Sequence, residues 1–252
     1  MPLKARRQYK KRPAFRRKRY AGRRKMAMRK KNRTGYAKII RKVQPIFVQN
    51  SGVGAATLYA QDTSTGTVSA YTGNLIQLGT PGVGISGAYD LPFSVKFRLS
   101  DVVNSTEMVT LADKYRIKGA YVRLIPSFTE HLVSSVYSRT FVEYYTDHDD
   151  ASLPSLTQLR ERMGMKCKTF VNGRYVGIKV NPAVNTIISK DATLATTGSA
   201  PKWGMWIDAA DNATDHFGIK GVFRGYNLVN PASLKESIMF DIALVVELKD
   251  FQ

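Results

Sequence analysis

The sequence predicts an all-β, antiparallel sandwich behind a disordered basic arm. Three observations carry that expectation. Residues 43–252 break into roughly eight to ten short stretches that alternate in polarity or are rich in β-branched and aromatic residues. Long Gly, Pro, Ser and Thr loops separate them, with one short helix candidate and no strand–helix alternation that would signal a parallel sheet. The formal net charge of +20 is confined to one end of the chain.

Residues 1–42 hold 20 Lys and Arg and no acidic residue, and the first acid is Asp62. The whole chain has 39 basic and 19 acidic residues, so residues 43–252 carry 19 of each sign. The expected organisation is therefore a 1–42 arm and a neutral 43–252 body, large enough to bury one core. The arm repels itself and has little apolar surface to bury, which predicts disorder when it is alone.

The arm's cations form clusters: Arg6 and Arg7; Lys10, Lys11 and Arg12; Arg16, Arg17, Lys18 and Arg19; Arg23, Arg24 and Lys25; Arg29, Lys30, Lys31 and Arg33. Tyr9, Phe15, Tyr20 and Tyr36 are interleaved with them. Cations neutralise phosphates and aromatic rings stack on unpaired bases, so the expected ligand is nucleic acid, held without sequence preference and in a salt-dependent way. Lys10–Arg12 and Arg16–Arg19 also suit a nuclear localisation signal. An anionic membrane surface fits less well, because the arm has no apolar helical face. A purely solubilising tail would not need one sign of charge on a body already balanced.

In the body, Val43–Asn50 reads as a first strand and 51–56 as a loop of small residues. Thr57–Ala60 and Thr67–Tyr71 read as strands around a turn at 62–66, Asn74–Leu78 as a short strand, and Gly79–Gly87 as a loop. Phe93–Leu99 alternates strictly and predicts a half-buried strand, with a brief helical turn near Ser100 or Asp101. Tyr115–Ile125 is a long strand closed by Pro126, and Val136–Thr146 another, ending in Asp147-His148-Asp149-Asp150. Ser155–Met163 is the helix candidate, with Ser155 and Gln158 spaced as a capping box and Gly164 at its end. Asn172-Gly173 between Cys167–Val171 and Arg174–Val180 predicts a tight hairpin. Asn181–Pro201 reads as a long exposed loop, and Trp203–Ile207, Phe217–Tyr226 and Ile238–Leu248 as the closing strands.

Little here points to catalysis. No nucleotide-binding Gly-rich loop or hydrolase elbow is present, and the expectation is a non-enzyme without metal or cofactor. His148 among three aspartates fits a solvated turn as well as an ion site. Cys167, the only cysteine, excludes an internal disulfide; its neighbours Lys166 and Lys168 would lower a thiol pKa, but a strand residue with no partner role is the favoured reading. No secretory signal is visible. Ile238–Leu248 is too short to span a bilayer and is interrupted by Asp241 and Glu247, so a soluble, intracellular chain without membrane insertion is expected. Trp203, Trp206, Phe217, Phe223 and Tyr226 are read as core or subunit-contact residues. Tyr115, Arg116, Lys118 and Arg123 instead put cations and a ring on one strand, a possible nucleic-acid contact.

Three stretches carry a family resemblance. Tyr115-Arg116-Ile117-Lys118-Gly119-Ala120-Tyr121-Val122 runs on to Pro126; Asp215-His216-Phe217-Gly218-Ile219-Lys220 is followed by Phe223; and Ile238–Phe251 ends in acidic and aromatic residues. With the basic arm before them and the acidic 147–150 loop and Pro154 between them, the chain resembles the capsid proteins of circoviruses and other small circular single-stranded DNA viruses. The resemblance implies a single eight-stranded jelly roll and an icosahedral shell of about 60 copies. It also implies an inward arm packaging a single-stranded DNA genome, residence in the virion and in the host nucleus during assembly, nuclear import receptors, and an attachment receptor of unknown nature. About 60 arms supply on the order of 1,200 positive charges, enough to neutralise roughly one to two thousand nucleotides at one charge each. A cellular basic-tailed protein, chromatin- or ribosome-associated, is the alternative.

Overall fold

The computed structural model describes residues 36–251, except 53, 63, 84–87, 128–130, 134–135, 139, 172–173, 190–196 and 227–236. The basic clusters from Arg6 to Arg33, including the expected localisation signal, lie outside the described residues. The body, Tyr36–Gln252, is one compact unit.

The chain begins with β1 (Tyr36–Lys42), β2 (Ile46–Gly52), β3 (Ala55–Gln61) and β4 (Val68–Ala70), all in a first sheet. β5 (Ile76–Leu78), β6 (Gly82–Val83) and β7 (Tyr89–Phe97) join a second sheet. A 3-10 turn at Leu99–Asp101 and helix α1 (Ser105–Leu111) lead to β8 (Ala112–Pro126) in the first sheet. β9 (His131–Val133) and β10 (Val136–Ser138) pair only with each other among the described residues. β11 (Phe141–Thr146) enters the second sheet, helix α2 (Leu156–Glu161) follows, and β12 (Lys166–Thr169) pairs back on β11. β13 (Val176–Val180) crosses to the first sheet, β14 (Ala183–Ser189) and β15 (Thr197–Trp203) to the second, and β16 (Ile207–Asp208) to the first. β17 (His216–Tyr226) centres the second sheet and β18 (Ser237–Phe251) the first.

The first sheet runs β13-β8-β18-β2-β3-β4, with β1 beside β18 and β16 beside β8. The second runs β12-β11-β17-β14-β15, with β7 on β17 and β5 and β6 on β7. All of these pairings are antiparallel. Repeated crossing of one chain between two such sheets is the jelly-roll arrangement, and the fold is the all-β sandwich that the sequence predicts.

One core joins the sheets. Phe93 and Phe223 of the second sheet stack at 4.5 Å, and Phe240 of the first meets both rings edge-on at 5.7 and 5.9 Å. Offset and edge-to-face contacts suit aromatic quadrupoles. The Tyr226 hydroxyl donates to Val48 O across the sandwich at 3.2 Å. Gly221 lets β11 and the Phe93 ring approach β17, since a Cβ there would sit 2.7 Å from both Glu143 O and Phe93.

Several local expectations are corrected. Residues 36–42, counted with the arm, form β1 and pair along their whole length with Lys249–Ala243 of β18. Ile39 packs on the core, which gives a segment rich in cations a reason to order. β7 is not half-buried: Ser94 and Lys96, on its outward face, are 2% and 8% exposed. Ser94 Oγ donates to Ala151 O and Lys96 pairs with Asp215, and α2 adds a small second core of Tyr145, Leu159 and Val222 with Met165. The strands flanking 172–173 do not form a hairpin. β12 pairs with β11 and β13 with β8, so this link crosses between sheets. The Asn181–Pro201 stretch is a hairpin, with Ala183 opposite Trp203 and Ser189 opposite Thr197; its tip, 190–196, lies outside the described residues. Val136–Thr146 is two strands, β10 and β11, and α1 carries no strong sequence signal beyond the buried Met108.

Candidate nucleic-acid interface

The outer face of the first sheet carries a group of cations. On β8 the inward residues are Tyr115, Ile117, Ala120, Val122 and Leu124, all buried. The step from 117 to 120 breaks strict alternation because a bulge falls there: Ile117 pairs with Val246 and Gly119 with Val245, leaving Lys118 extra. The outward set is therefore Lys114, Arg116, Lys118, Tyr121 and Arg123. β13 adds Lys179, which pairs opposite Tyr121, and β18 adds Lys249.

Tyr115 is a correction. Its side chain is fully buried, its hydroxyl donates to Asp211 O at 3.0 Å, and burial pushes the phenol pKa up to about 12. That ring serves the core and is closed to a nucleic-acid strand. Arg116 faces outward but is already engaged. It pairs with Glu247 at 2.6 Å, and its guanidinium lies 4.2 Å from the centre of the Trp206 ring, the geometry of a cation–π stack. Lys118 is exposed, and among the described residues no carboxylate pairs with it or with Lys179. Arg123 pairs with Asp241, which also takes Lys42 at 3.4 Å, and lies 5.6 Å from the Tyr175 ring.

Cation–π contacts concentrate on this face: Arg116 and Lys249 on Trp206, Arg123 on Tyr175, and Lys179 on Tyr121. The expectation of core roles for the large rings splits. Phe223 and Tyr226 are fully buried, whereas Trp203 is 56% exposed and Trp206 only half-buried. Trp203 ends the β14–β15 hairpin, so the strand pattern that starts from it in the sequence carries no sign of its exposure.

The remaining candidates are structural. Asp147 is buried and bonds Lys220 at 3.1 Å, and Lys220 also pairs with Asp150. Asp147 thus clamps the acidic loop to the second sheet, while Asp149 and Asp150 remain exposed. His216 opens β17, buried, with Nδ1 3.0 Å from Thr214 O; burial holds its pKa below the usual imidazole value. The Cys167 thiol is exposed on β12, and partial desolvation followed by Glu143 raises its pKa, opposite to the effect expected from its lysine neighbours. Among the described residues no group of His, Cys, Asp and Glu is placed to hold a metal ion, and no helix is long and apolar enough to cross a membrane.

Known proteins now place the chain. The fold is similar to that of the 60-mer BFDV capsid protein, at a TM-score of 0.52 and 18% identity over 86% of this chain and 95% of that one. The mud crab tombus-like virus (13% identity, covering 86% and 90%) and the Macrobrachium rosenbergii nodavirus semi-empty particle (14%, covering 86% and 95%) each align at a TM-score of 0.39, too distant to add weight. No curated protein matches the chain. The circovirus capsid protein profile, however, matches residues 4–252, which include both the basic arm and the whole sandwich. This chain belongs to the circovirus capsid protein family and is a viral capsid protein, not an enzyme.

Proposed function

We propose that the protein assembles into an icosahedral shell of about 60 copies and packages single-stranded DNA through its cationic arm. Charge segregation is the observation that carries this reading: a neutral sandwich bears a 42-residue stretch with 20 cations and no acid. The related BFDV capsid protein forms a 60-mer. A shell concentrates many arms in one cavity, so modest, salt-sensitive contacts add up. The clusters Arg6–Arg7, Lys10–Arg12, Arg16–Arg19, Arg23–Lys25 and Arg29–Arg33 take the phosphates, while Arg116 and Lys118 contribute from the sheet. Lys10–Arg12 and Arg16–Arg19 also serve import into the host nucleus.

The test is expression followed by electron microscopy, light scattering and the ratio of absorbance at nucleic-acid and protein wavelengths. Closed particles containing nucleic acid are expected. A protein that stays monomeric with single-stranded DNA across salt and pH overturns the reading. Removing residues 1–35, which spares β1, should abolish packaging and leave the sandwich folded; undiminished nucleic-acid content would remove the arm from the mechanism. Nuclear accumulation of a fluorescent reporter fused to residues 1–35 tests import.

A further inference from the structure

We infer that the body carries its own base-stacking site for single-stranded nucleic acid, built around Trp203 and the cations beside it. This rests on the packaging reading above and adds to it a site that does not belong to the arm.

Residues 203–206 cross the outward side of β8 on their way from β15 to β16. Gly204 turns the chain with φ of +60°, and a Cβ placed there would lie 3.4 Å from Lys118 Nζ. Arg116 Nη1 reaches Gly204 O at 3.5 Å. The two indoles therefore flank the part of β8 that bears Arg116 and Lys118. Trp206 is taken up by Arg116 and Lys249. Trp203 is not: more than half its surface is open, and its one ring contact among the described residues is with His148, edge to face at 5.3 Å.

Trp203 also walls an open cleft of about 380 Å³ with Thr146, His148, Lys179, Val180 and Asn181. That volume falls in the range of small-ligand sites, about 300–1,000 Å³. The lining suits a nucleotide. The indole offers a π-face to any base, Lys179 offers a charge to phosphate, and the Thr146 hydroxyl and Asn181 amide offer hydrogen bonds to sugar or base edge. An acidic sugar would also use an indole and a lysine. A nucleic-acid strand is favoured because a second cation adjoins the indole: Lys118 lies against the Gly204 turn that directly follows Trp203, so a stacking face and two lysines, Lys118 and Lys179, meet in one place.

Trp203 and Trp206 are the only tryptophans in the chain, so intrinsic emission reports on this region alone. The experiment titrates the full-length protein with oligothymidylate, with inorganic polyphosphate of matched charge, and with heparin, while binding is followed independently by co-sedimentation. Oligothymidylate should quench the emission, whereas polyphosphate should bind without quenching. Trp203→Phe should remove most of the quenching. Trp203→Ala should weaken oligothymidylate binding about tenfold at salt that screens the arm. Lys179→Glu, which keeps both indoles, should cut the quenching several-fold. If oligothymidylate binds without quenching, if polyphosphate quenches equally, or if only heparin quenches, the site is overturned and packaging by the arm stands. If neither oligothymidylate nor polyphosphate binds, both readings fall.

Discussion

The two outer faces of the sandwich use the same residue types in opposite ways. On the second sheet, Lys220 meets Asp147 and Asp150, Arg224 meets Glu143 at 2.7 Å and Asp90 at 2.6 Å, and Lys96 and Arg98 share Asp215. Lys96, Lys220 and Arg224 are each under 10% exposed. Each of these cations has a carboxylate, and for Lys220 it comes from the 147–150 loop. On the first sheet Lys118 and Lys179 stand exposed with no carboxylate among the described residues, while Arg116, Arg123 and Lys249 divide themselves between a carboxylate and an aromatic ring. Burial, more than composition, decides whether a lysine acts as a structural rivet or as surface charge. A buried charge must be paired; an exposed one is free to bind.

The difference predicts a ranked set of effects. Arg224→Ala leaves Glu143 and Asp90 without their cation in a closed site, and should lower stability by about 3–5 kcal/mol in chemical denaturation. Leu159→Ala opens the small core between α2 and Val222, and about 2–4 kcal/mol is expected, read as a lower Tm. A smaller loss would mean that the covering segment contributes little to the sheet below it.

The Asp215 cluster should be sensitive to acid. Burial works against ionisation of Asp215, but Arg98 and Lys96 outweigh it and hold the pKa below the ordinary carboxylate value. A folded pKa below the unfolded one, about 3.9, means that the contribution is present above that pH and is lost as pH falls through the folded value. The Tm gap between wild type and Asp215→Asn should accordingly be widest above about pH 4 and close on further acidification. A gap independent of pH would deny the pair its role. At the low end, Lys118→Gln and Lys179→Gln should change stability by less than about 0.5 kcal/mol, because neither is paired among the described residues. They should nonetheless reduce retained nucleic acid at elevated salt. A large stability loss would place them with the rivets of the other sheet.

These contrasts were only partly legible in the sequence. Alternation marked β18 correctly, since Ile238, Phe240, Ile242, Leu244 and Val246 all face the core. In β7 the same pattern was misleading. Ser94 and Lys96 look like solvent residues, yet Ser94 Oγ donates to Ala151 O and Lys96 bonds Asp215, groups 57 and 119 residues away. Nothing local encodes such a cover. Asn172-Gly173 reads as a hairpin by turn chemistry alone, but the long-range demand of β8 and β11 for edge partners sends the two flanking strands to different sheets. For the candidate interface, Arg116 and Lys118 were readable as outward cations. Tyr115 shares the inward parity of Ile117, which regular alternation before the bulge does carry, and a phenol on a cationic strand misleads only if that parity is ignored. The exposure of Trp203 depends on where a hairpin ends, which composition does not reveal.

The pairing of β1 with β18 has a mechanical consequence. All seven residues of β1 are in register with β18, which at 15 residues equals β8 in length, directly after the cationic segment. A pull on that segment along the strand axis would load the rungs together in shear rather than peel them one by one. Resistance to such a pull would come from all the rungs acting at once, not from the first of them.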